Sequence, residues 1–335
     1  MKVLLDQLLV NKTISRSQAC QVLKDIAQNK YNDHLVAAFL TVFRMRHITV
    51  EELGGFRDAM RELCIPVDLK AYSPIDLCGT GGDGKNTFNI STLTAFVVAG
   101  SGIKVAKHGN YGASSRCGSS NVLESLGIKF TNDITQLQQL IEEAGFCYLH
   151  GPMFHPAMKN VAPVRKNLGI RTFFNLLGPL VSPAFPKKQM IGVVNLEVAR
   201  LYSYLLQNED IDYVIVHSLD GYDEISLTGA FKKIDKRGEQ IISPQDCGFE
   251  QVNAEDLYGG DSIEESAAIL MKILKGKGTA AQNQTIIANA TFAIHCAFPQ
   301  KSLDECKHQA TESLKSGKAL QVLTKIIAIS KTMKD

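Results

Sequence analysis

Four glycines crowd the stretch Asp76-Leu-Cys-Gly-Thr-Gly-Gly-Asp-Gly-Lys-Asn-Thr-Phe-Asn-Ile-Ser-Thr92, at positions 79, 81, 82 and 84. They follow a short apolar run and precede a segment with helical spacing. Glycine reaches backbone conformations closed to other residues and lets a ligand approach the main chain. Successive exposed N–H groups, followed by a helix N-terminus, form an anion site. Each hydrogen bond to a charged phosphate oxygen contributes roughly 1.5–3 kcal/mol. Asn89, Ser91 and Thr92 add side-chain donors at the next helix start. A lone glycine cluster is usually a flexible turn, but its place between strand and helix favours phosphate binding. Two familiar phosphate loops are near misses. Gly79 to Lys85 satisfies G-x-x-x-x-G-K, yet Asn86 stands where that loop needs Ser or Thr for magnesium. The dinucleotide pattern needs its last glycine directly on a helix, and the helix here starts near Ser91, not at Gly84.

Two more loops carry matching chemistry. Lys107-His-Gly-Asn110 follows the apolar run from Ile103 to Ala106 and leads into Tyr111-Gly-Ala-Ser-Ser-Arg-Cys-Gly-Ser119. Lysine offers a compact charge to a diphosphate, Arg116 adds another, and the small residues offer main-chain and hydroxyl donors. The same composition suits a solvated polar connection, and only the recurrence of strand followed by anion loop argues against that. Asp220-Gly-Tyr-Asp-Glu224 follows the run from Tyr213 to His217. An acidic pair alone is usually a surface turn. Beside a diphosphate, Asp223 and Glu224 at a strand end can hold magnesium, directly or through its water.

The elements that must position these loops fall into two textures. The first seventy residues are helical by pattern. Leu4, Leu5, Leu8 and Leu9 keep helical spacing, and Ser15 with Gln18 and Thr49 with Glu52 form capping boxes. Asp33 is the expected cap of a helix from His34 to Arg46, and Pro66 ends the pattern. After Pro74, short runs at 75–78, 103–106, 146–149, 190–194 and 213–217 alternate with helical stretches at 91–99, 119–126, 134–144 and 197–207. That alternation predicts a largely parallel sheet with helices on its faces. The stretch 156–180 is again helical and is expected to fold back onto the N-terminal helices; 262–334 is helical and carries no chemical signature.

Composition bounds the partners. The chain has 335 residues, 45% hydrophobic and 21% charged, with a formal net charge of +2. That charge points to neither nucleic acid nor membrane. The eight cysteines show no C-x-x-C spacing, so zinc ribbons and thioredoxin chemistry lack support, and their scatter suits buried thiols in a reducing compartment. The N-terminal apolar stretch is interrupted by Asp6 and Gln7, unlike a signal peptide, and the apolar run from Thr94 to Ala99 is too short to span a bilayer. A cytoplasmic protein is expected.

Taken together, Gly79-Thr-Gly-Gly-Asp83, Asn89-Ile-Ser-Thr92, Lys107-His-Gly-Asn110, Val164-Arg-Lys-Asn-Leu-Gly-Ile-Arg-Thr-Phe-Phe-Asn-Leu-Leu-Gly-Pro179 and Asp220-Gly-Tyr-Asp-Glu224 resemble the motifs of the anthranilate phosphoribosyltransferases, in order and spacing. The resemblance implies an α/β fold of the nucleoside phosphorylase/phosphoribosyltransferase kind. A small helical domain, 1–70, joined by the helical segment 156–182, would be hinged to an α/β domain, 71–335, with a mainly parallel central sheet. It implies homodimers formed through the helical parts. It implies transfer of the phosphoribosyl group of 5-phosphoribosyl 1-diphosphate to anthranilate, in tryptophan biosynthesis. The donor would meet Gly79, Gly82, Asp83, Thr87, Asn89, Ile90, Ser91, Thr92, Lys107, His108, Gly109, Asn110, Tyr111, Gly112, Ala113, Ser114, Ser115 and Ser119. Ser91, Asp223 and Glu224 would hold two magnesium ions. Gly79, Asn110 and Arg165 would meet anthranilate, with His108 and Pro179 nearby. Tyr111 stands where many members carry Arg, Cys117 replaces a usual Ser, and Asn121 a usual Asp.

The implied chemistry displaces diphosphate from the anomeric carbon with oxocarbenium-like charge on the sugar. The aromatic amine is neutral at pH 7, so no strong general base is expected, and His108 is a candidate proton acceptor only. Positioning, magnesium and closure would carry catalysis. A pyrimidine nucleoside phosphorylase of related architecture would use inorganic phosphate, and the Lys107-His-Gly-Asn110 form and the Asp223-Glu224 pair argue against it. A nucleic-acid-binding relative that has lost the reaction should show a basic groove and damaged motifs.

Overall fold

The computed structural model describes residues 1–112 and 117–333. Four helices open the chain: α1 (Lys2–Leu9), α2 (Arg16–Ala27), α3 (Asp33–Met45) and α4 (Val50–Leu63). The two capping boxes form as the sequence predicts. Ser15 Oγ accepts the N–H of Gln18 at 3.2 Å while Gln18 Oε1 accepts that of Ser15 at 2.9 Å. Thr49 and Glu52 repeat the exchange at 3.2 and 3.0 Å. The cap of α3 is Asn32 rather than Asp33: Asn32 Oδ1 accepts the Leu35 N–H at 3.0 Å. Asp33 instead sits in the first turn, where its charge favours the helix dipole.

The remainder runs β1 (Ile75–Gly79), α5 (Ile90–Gly100), β2 (Val105–Gly109), α6 (Ser119–Ser125), α7 (Ile134–Glu143), β3 (Phe146–His150), α8 (Gly151–Phe154), α9 (Ala162–Leu168), β4 (Lys188–Gly192), α10 (Leu196–Leu206), β5 (Asp212–Ser218), β6 (Phe231–Asp235), β7 (Gly238–Ile242) and then α11 (Ile263–Lys272), α12 (Ala280–Ala297), α13 (Leu303–Lys315) and α14 (Lys318–Thr332). One sheet holds all seven strands in the order β3-β2-β1-β4-β5-β6-β7. The first five are parallel. The antiparallel hairpin β6–β7 goes beyond the sequence expectation. Its residues Lys232, Lys233, Asp235, Lys236, Arg237 and Glu239 hide the alternation. Lys233 pairs with Asp235 and Lys232 with Glu239, each at 2.8 Å, which lets a charged ribbon lie at the sheet edge.

Two apolar cores flank the sheet. One joins β1, β2 and β3 to α5 and the C-terminal helices α11 to α14. The other joins α1 to α4 with Val161, Val164, Phe173, Phe174, Leu177 and Val181 of the fold-back segment, with α10, and with Ile191 and Ile215 on the sheet. Within it Phe56 of α4 stacks on Phe173 at 4.1 Å between ring centroids. The N-terminal helices therefore share a core, as their brevity requires.

Topology sets the place of chemistry. Strand β1 has β2 on one side and β4 on the other, so the strand order reverses beside it. In open α/β sheets the crevice at the carboxyl ends of strands at such a switch point is where ligands bind. The loops after β1, β2 and β5 all open there. No helix among the described residues is long and apolar enough to cross a membrane.

Candidate active site

The glycine loop leaves β1 and turns on Gly81, Gly82 and Gly84, whose φ angles of 64°, 83° and 75° lie in the left-handed region. A side chain there would be strained, so the sequence uses glycine where the turn demands it. Arg171, from the fold-back segment, donates from its guanidinium to the Gly82 carbonyl. Across the sheet, Asp223 Oδ2 accepts the N–H of Gly81 at 2.7 Å. A Cβ on Gly79 would stand 2.6 Å from the same oxygen, so only glycine lets β1 pass this close to the acidic loop. Glu224 Oε1 accepts the N–H of Ser91 at 2.9 Å, in the first turn of α5.

Lys107 is almost wholly buried at the end of β2, donating to the Leu77 carbonyl at 2.5 Å and to Ser91 Oγ at 3.3 Å. Next to it, the His108 N–H donates to Asp76 Oδ1 at 2.9 Å. His108 Nδ1 faces the Gly178 carbonyl at 3.1 Å. A carbonyl only accepts, so Nδ1 carries the hydrogen and Nε2 keeps a lone pair. Burial, then the neighbouring His155 with its ring centroid at 5.5 Å, pushes the His108 imidazole down to about 3. It is neutral at working pH.

Every described candidate from the three loops, together with Arg165, lines one cleft of about 490 Å³. Its polar lining includes Gly79, Asp83, Ser91, Lys107, Asp223 and Glu224, and its apolar lining Met158, Phe174, Leu177 and Val181, with Arg165 and His155 also on the wall. Arg165 lies over the Phe174 ring, 5.0 Å from its centroid, and pairs with no carboxylate among the described residues. Ala113, Ser114 and Ser115 lie outside the described residues. Pro179 does not line the cleft, although its neighbour Gly178 does. Met60, His155, Met158 and Phe174 went unnoticed in sequence. They come from distant segments, and none bears a local signal beyond residue type.

The three departures have structural accounts. Asn121 Oδ1 accepts the N–H groups of Gly112 and Gly118 at 3.1 and 3.0 Å, a task an amide oxygen performs as a carboxylate would. Tyr111 meets the His150 ring edge-on at 4.8 Å. Cys117 lines the cleft, and its carbonyl accepts from Asn89 Nδ2 at 3.3 Å.

The donor set fits a divalent cation. Burial, then the charge of Asp83, pushes the Asp223 carboxyl up to about 7, and burial with Asp223 and Asp83 nearby raises Glu224 as well. Carboxylates crowded in a dry pocket resist ionising together, and a bound cation removes that resistance. Among the described residues no three carboxylate, imidazole or thiol groups form a cage by themselves. The pair is suited to a cation that brings further oxygen ligands with it.

Residues 71–320 match the glycosyl transferase family, a/b domain, and residues 2–64 the helical bundle domain of the same family. The anthranilate phosphoribosyltransferase of Christiangramia forsetii is 57% identical over 330 residues, 98% of this chain and 99% of that one. The chain belongs to the anthranilate phosphoribosyltransferase family. Its relative from Bacteroides thetaiotaomicron is 51% identical over the same shares. Among solved structures, the Thermus thermophilus member superposes with a TM-score of 0.91 at 33% identity, covering 98% of this chain and 99% of that one. The Saccharomyces cerevisiae member, in complex with PRPP and Mg, superposes at 0.90 with 28% identity, covering 98% and 97%. Another structure of the yeast family member contains 4-fluoroanthranilate.

Proposed function

We propose that the chain transfers the phosphoribosyl group of 5-phosphoribosyl 1-diphosphate to the amine of anthranilate, giving N-(5-phosphoribosyl)anthranilate and diphosphate in tryptophan biosynthesis. The observation that carries this is one cleft that gathers the phosphate-suited glycine loop, the buried Lys107 and the acidic pair with an apolar group around Arg165, whose guanidinium meets no carboxylate among the described residues. The glycine loop, Asn89, Ser91, Thr92, the loop from Lys107 to Ser115 and Ser119 hold the donor. Arg165 with Asn110 and Gly79 holds the acceptor carboxylate and amine. Ser91, Asp223 and Glu224 hold magnesium, two ions per subunit, which neutralises charge on the departing diphosphate.

The bond from the anomeric carbon to diphosphate breaks as the nitrogen lone pair forms the new C–N bond. The arylammonium so formed is strongly acidic and needs only a weak acceptor. His108 Nε2, with its free lone pair, suits that modest task. Positioning carries the rest: two substrates held side by side in one cleft react as if intramolecular. The division at about residue 70, with 156–182 rejoining the helices, makes the cleft an interdomain one. The exposed apolar residues Val3 and Leu9 of α1, Val10 just after it and Met45 at the end of α3 suit a homodimer through the helical part. Eight unpaired cysteines suit the cytoplasm.

The test is loss of anthranilate fluorescence with donor and magnesium present. Turnover dependent on both substrates is expected; no loss of fluorescence would overturn the assignment. Light scattering at micromolar concentration checks the dimer.

A further inference from the structure

A chain of hydrogen bonds runs beneath the loop after β2. His150 Nδ1 lies 2.9 Å from Ser120 Oγ, Ser120 Oγ 2.8 Å from the Tyr148 hydroxyl, and the Tyr148 hydroxyl 2.7 Å from Ser119 Oγ. Ser119 Oγ then lies 3.4 Å from the Asn110 carbonyl and lines the cleft. Ser120, Tyr148 and His150 are buried. The His150 ring is held between Phe130, stacked at 4.6 Å, and the edge-on Tyr111 at 4.8 Å. Tyr148 also abuts Gly109, where any Cβ would collide with its hydroxyl and stand 2.5 Å from Ser119 Oγ. The phenol thus sets the spacing between the end of β2 and the start of α6.

Each hydroxyl has one hydrogen, so the chain has a direction. The Asn110 carbonyl can only accept, which turns the Ser119 hydrogen away from Tyr148. At 3.4 Å that contact is long, and the carbonyl already accepts the Ser120 N–H at 3.2 Å, so the same hydrogen can leave it for a phosphate oxygen in the cleft that Ser119 lines. Ser119 oxygen must then accept from Tyr148. The phenol's hydrogen is now used, so Ser120 donates to the Tyr148 oxygen. Ser120 in turn accepts from His150 Nδ1, which must carry a hydrogen. If Nδ1 were bare, every bond would reverse: Ser119 would donate inward and offer the cleft only lone pairs, which repel a phosphate oxygen.

We infer that Tyr148 and His150 are positioning residues for donor binding: the Nδ1–H of His150 orders the chain so that Ser119 presents its hydrogen to a phosphate oxygen of the donor. The inference rests on the assignment of Ser119 to the donor site made above. Neither Tyr148 nor His150 lines the cleft.

The test compares Michaelis constants for the two substrates in Tyr148→Phe, His150→Asn and His150→Leu. Tyr148→Phe keeps the ring and cuts the chain. It should raise the donor KM about tenfold or more, the scale of one lost hydrogen bond to a charged group, and change the anthranilate KM by less than about twofold. His150→Asn keeps an N–H donor near the Nδ1 position and should stay close to wild type. His150→Leu, similar in size but without a donor, should match Tyr148→Phe. The inference fails if Tyr148→Phe leaves the donor KM unchanged, if both constants rise together, or if the Asn and Leu variants behave alike. A wild-type chain inert towards the donor overturns the functional assignment instead, and this inference with it.

Discussion

Glu224 Oε1 accepts the backbone N–H of Ser91 at 2.9 Å. This bond ties the acidic loop after β5 to the first turn of the helix that follows the glycine loop, across the strand β4 that separates them in the sheet. Together with the Asp223–Gly81 bond at 2.7 Å, it places both carboxylates beside the phosphate-suited main chain. Activity should therefore need a divalent cation. Excess chelator should abolish turnover and added magnesium should restore it. Asp223→Asn with Glu224→Gln should remove the magnesium response while the fold, followed by circular dichroism, persists. Full turnover in excess chelator would falsify the metal assignment.

The same loop depends on a glycine in β4. A Cβ on Gly192 would collide with the Asp223 carbonyl oxygen, a backbone atom that cannot swing aside. Gly192→Ala should push the acidic loop off the glycine loop. Overpacking of this kind costs about 1–3 kcal/mol, and the displaced carboxylates should lower kcat/KM about tenfold or more. Gly127→Ala, whose positive φ strains the backbone but whose surroundings are open, should lower Tm and leave kcat/KM close to wild type. Equal activity losses in the two variants would show that strain, not loop displacement, is being measured.

Much of this site was legible because its signals are local. The glycines at 81, 82 and 84 mark themselves by the turn they permit, and strand-then-loop alternation located β1 and β5 to within one residue and β2 to within three. Strand β2 runs on to Gly109 rather than ending at Ala106 because its pairing with β3 continues through Lys107 and His108, polar residues that periodicity reads as loop. The β6–β7 hairpin escaped because its alternation is carried by ion pairs. Tyr148 and His150 escaped for another reason. Tyr148 reads as part of the apolar run 146–149 and His150 as the residue just past it, and their roles exist only where β3 meets α6. Contacts between segments distant in sequence leave no periodic trace.

Asp76 gives a pH test away from the metal site. It is buried under the loop, and burial pushes its carboxyl up to about 6 despite the His108 N–H and the nearby Lys107. A folded value above the unfolded one, about 4, means that the group's favourable contribution is complete below pH 4 and is lost as pH rises through 6. Ionising it costs on the order of 3 kcal/mol of stability above pH 7. Asp76→Asn stays neutral and keeps an oxygen for the His108 N–H. Its Tm should exceed that of the wild type at pH 8, and the gain should shrink towards zero as pH falls to 4.5. A gain that is independent of pH would remove Asp76 as its source.

Arg165 offers the sharpest test of how the acceptor is held. Its guanidinium is half-buried in the wall of the cleft, over the Phe174 ring at 5.0 Å, and burial works against its charge. No carboxylate of the described chain pairs with it, so a planar carboxylate from the substrate is the natural partner. A guanidinium meets such a group with two parallel hydrogen bonds, which a lysine ammonium cannot reproduce. Arg165→Ala should raise the anthranilate KM by the equivalent of about 2–5 kcal/mol, the scale for a desolvated pair losing one partner. Arg165→Lys should recover little of it, although the charge is retained. The donor KM should barely change, because the glycine loop, Lys107 and the acidic pair, not Arg165, are the groups assigned to the diphosphate. An anthranilate analogue lacking the carboxylate should bind wild type and Arg165→Ala alike. If it still distinguishes them, or if both substrate constants rise together, Arg165 shapes the cleft and does not clamp the carboxylate.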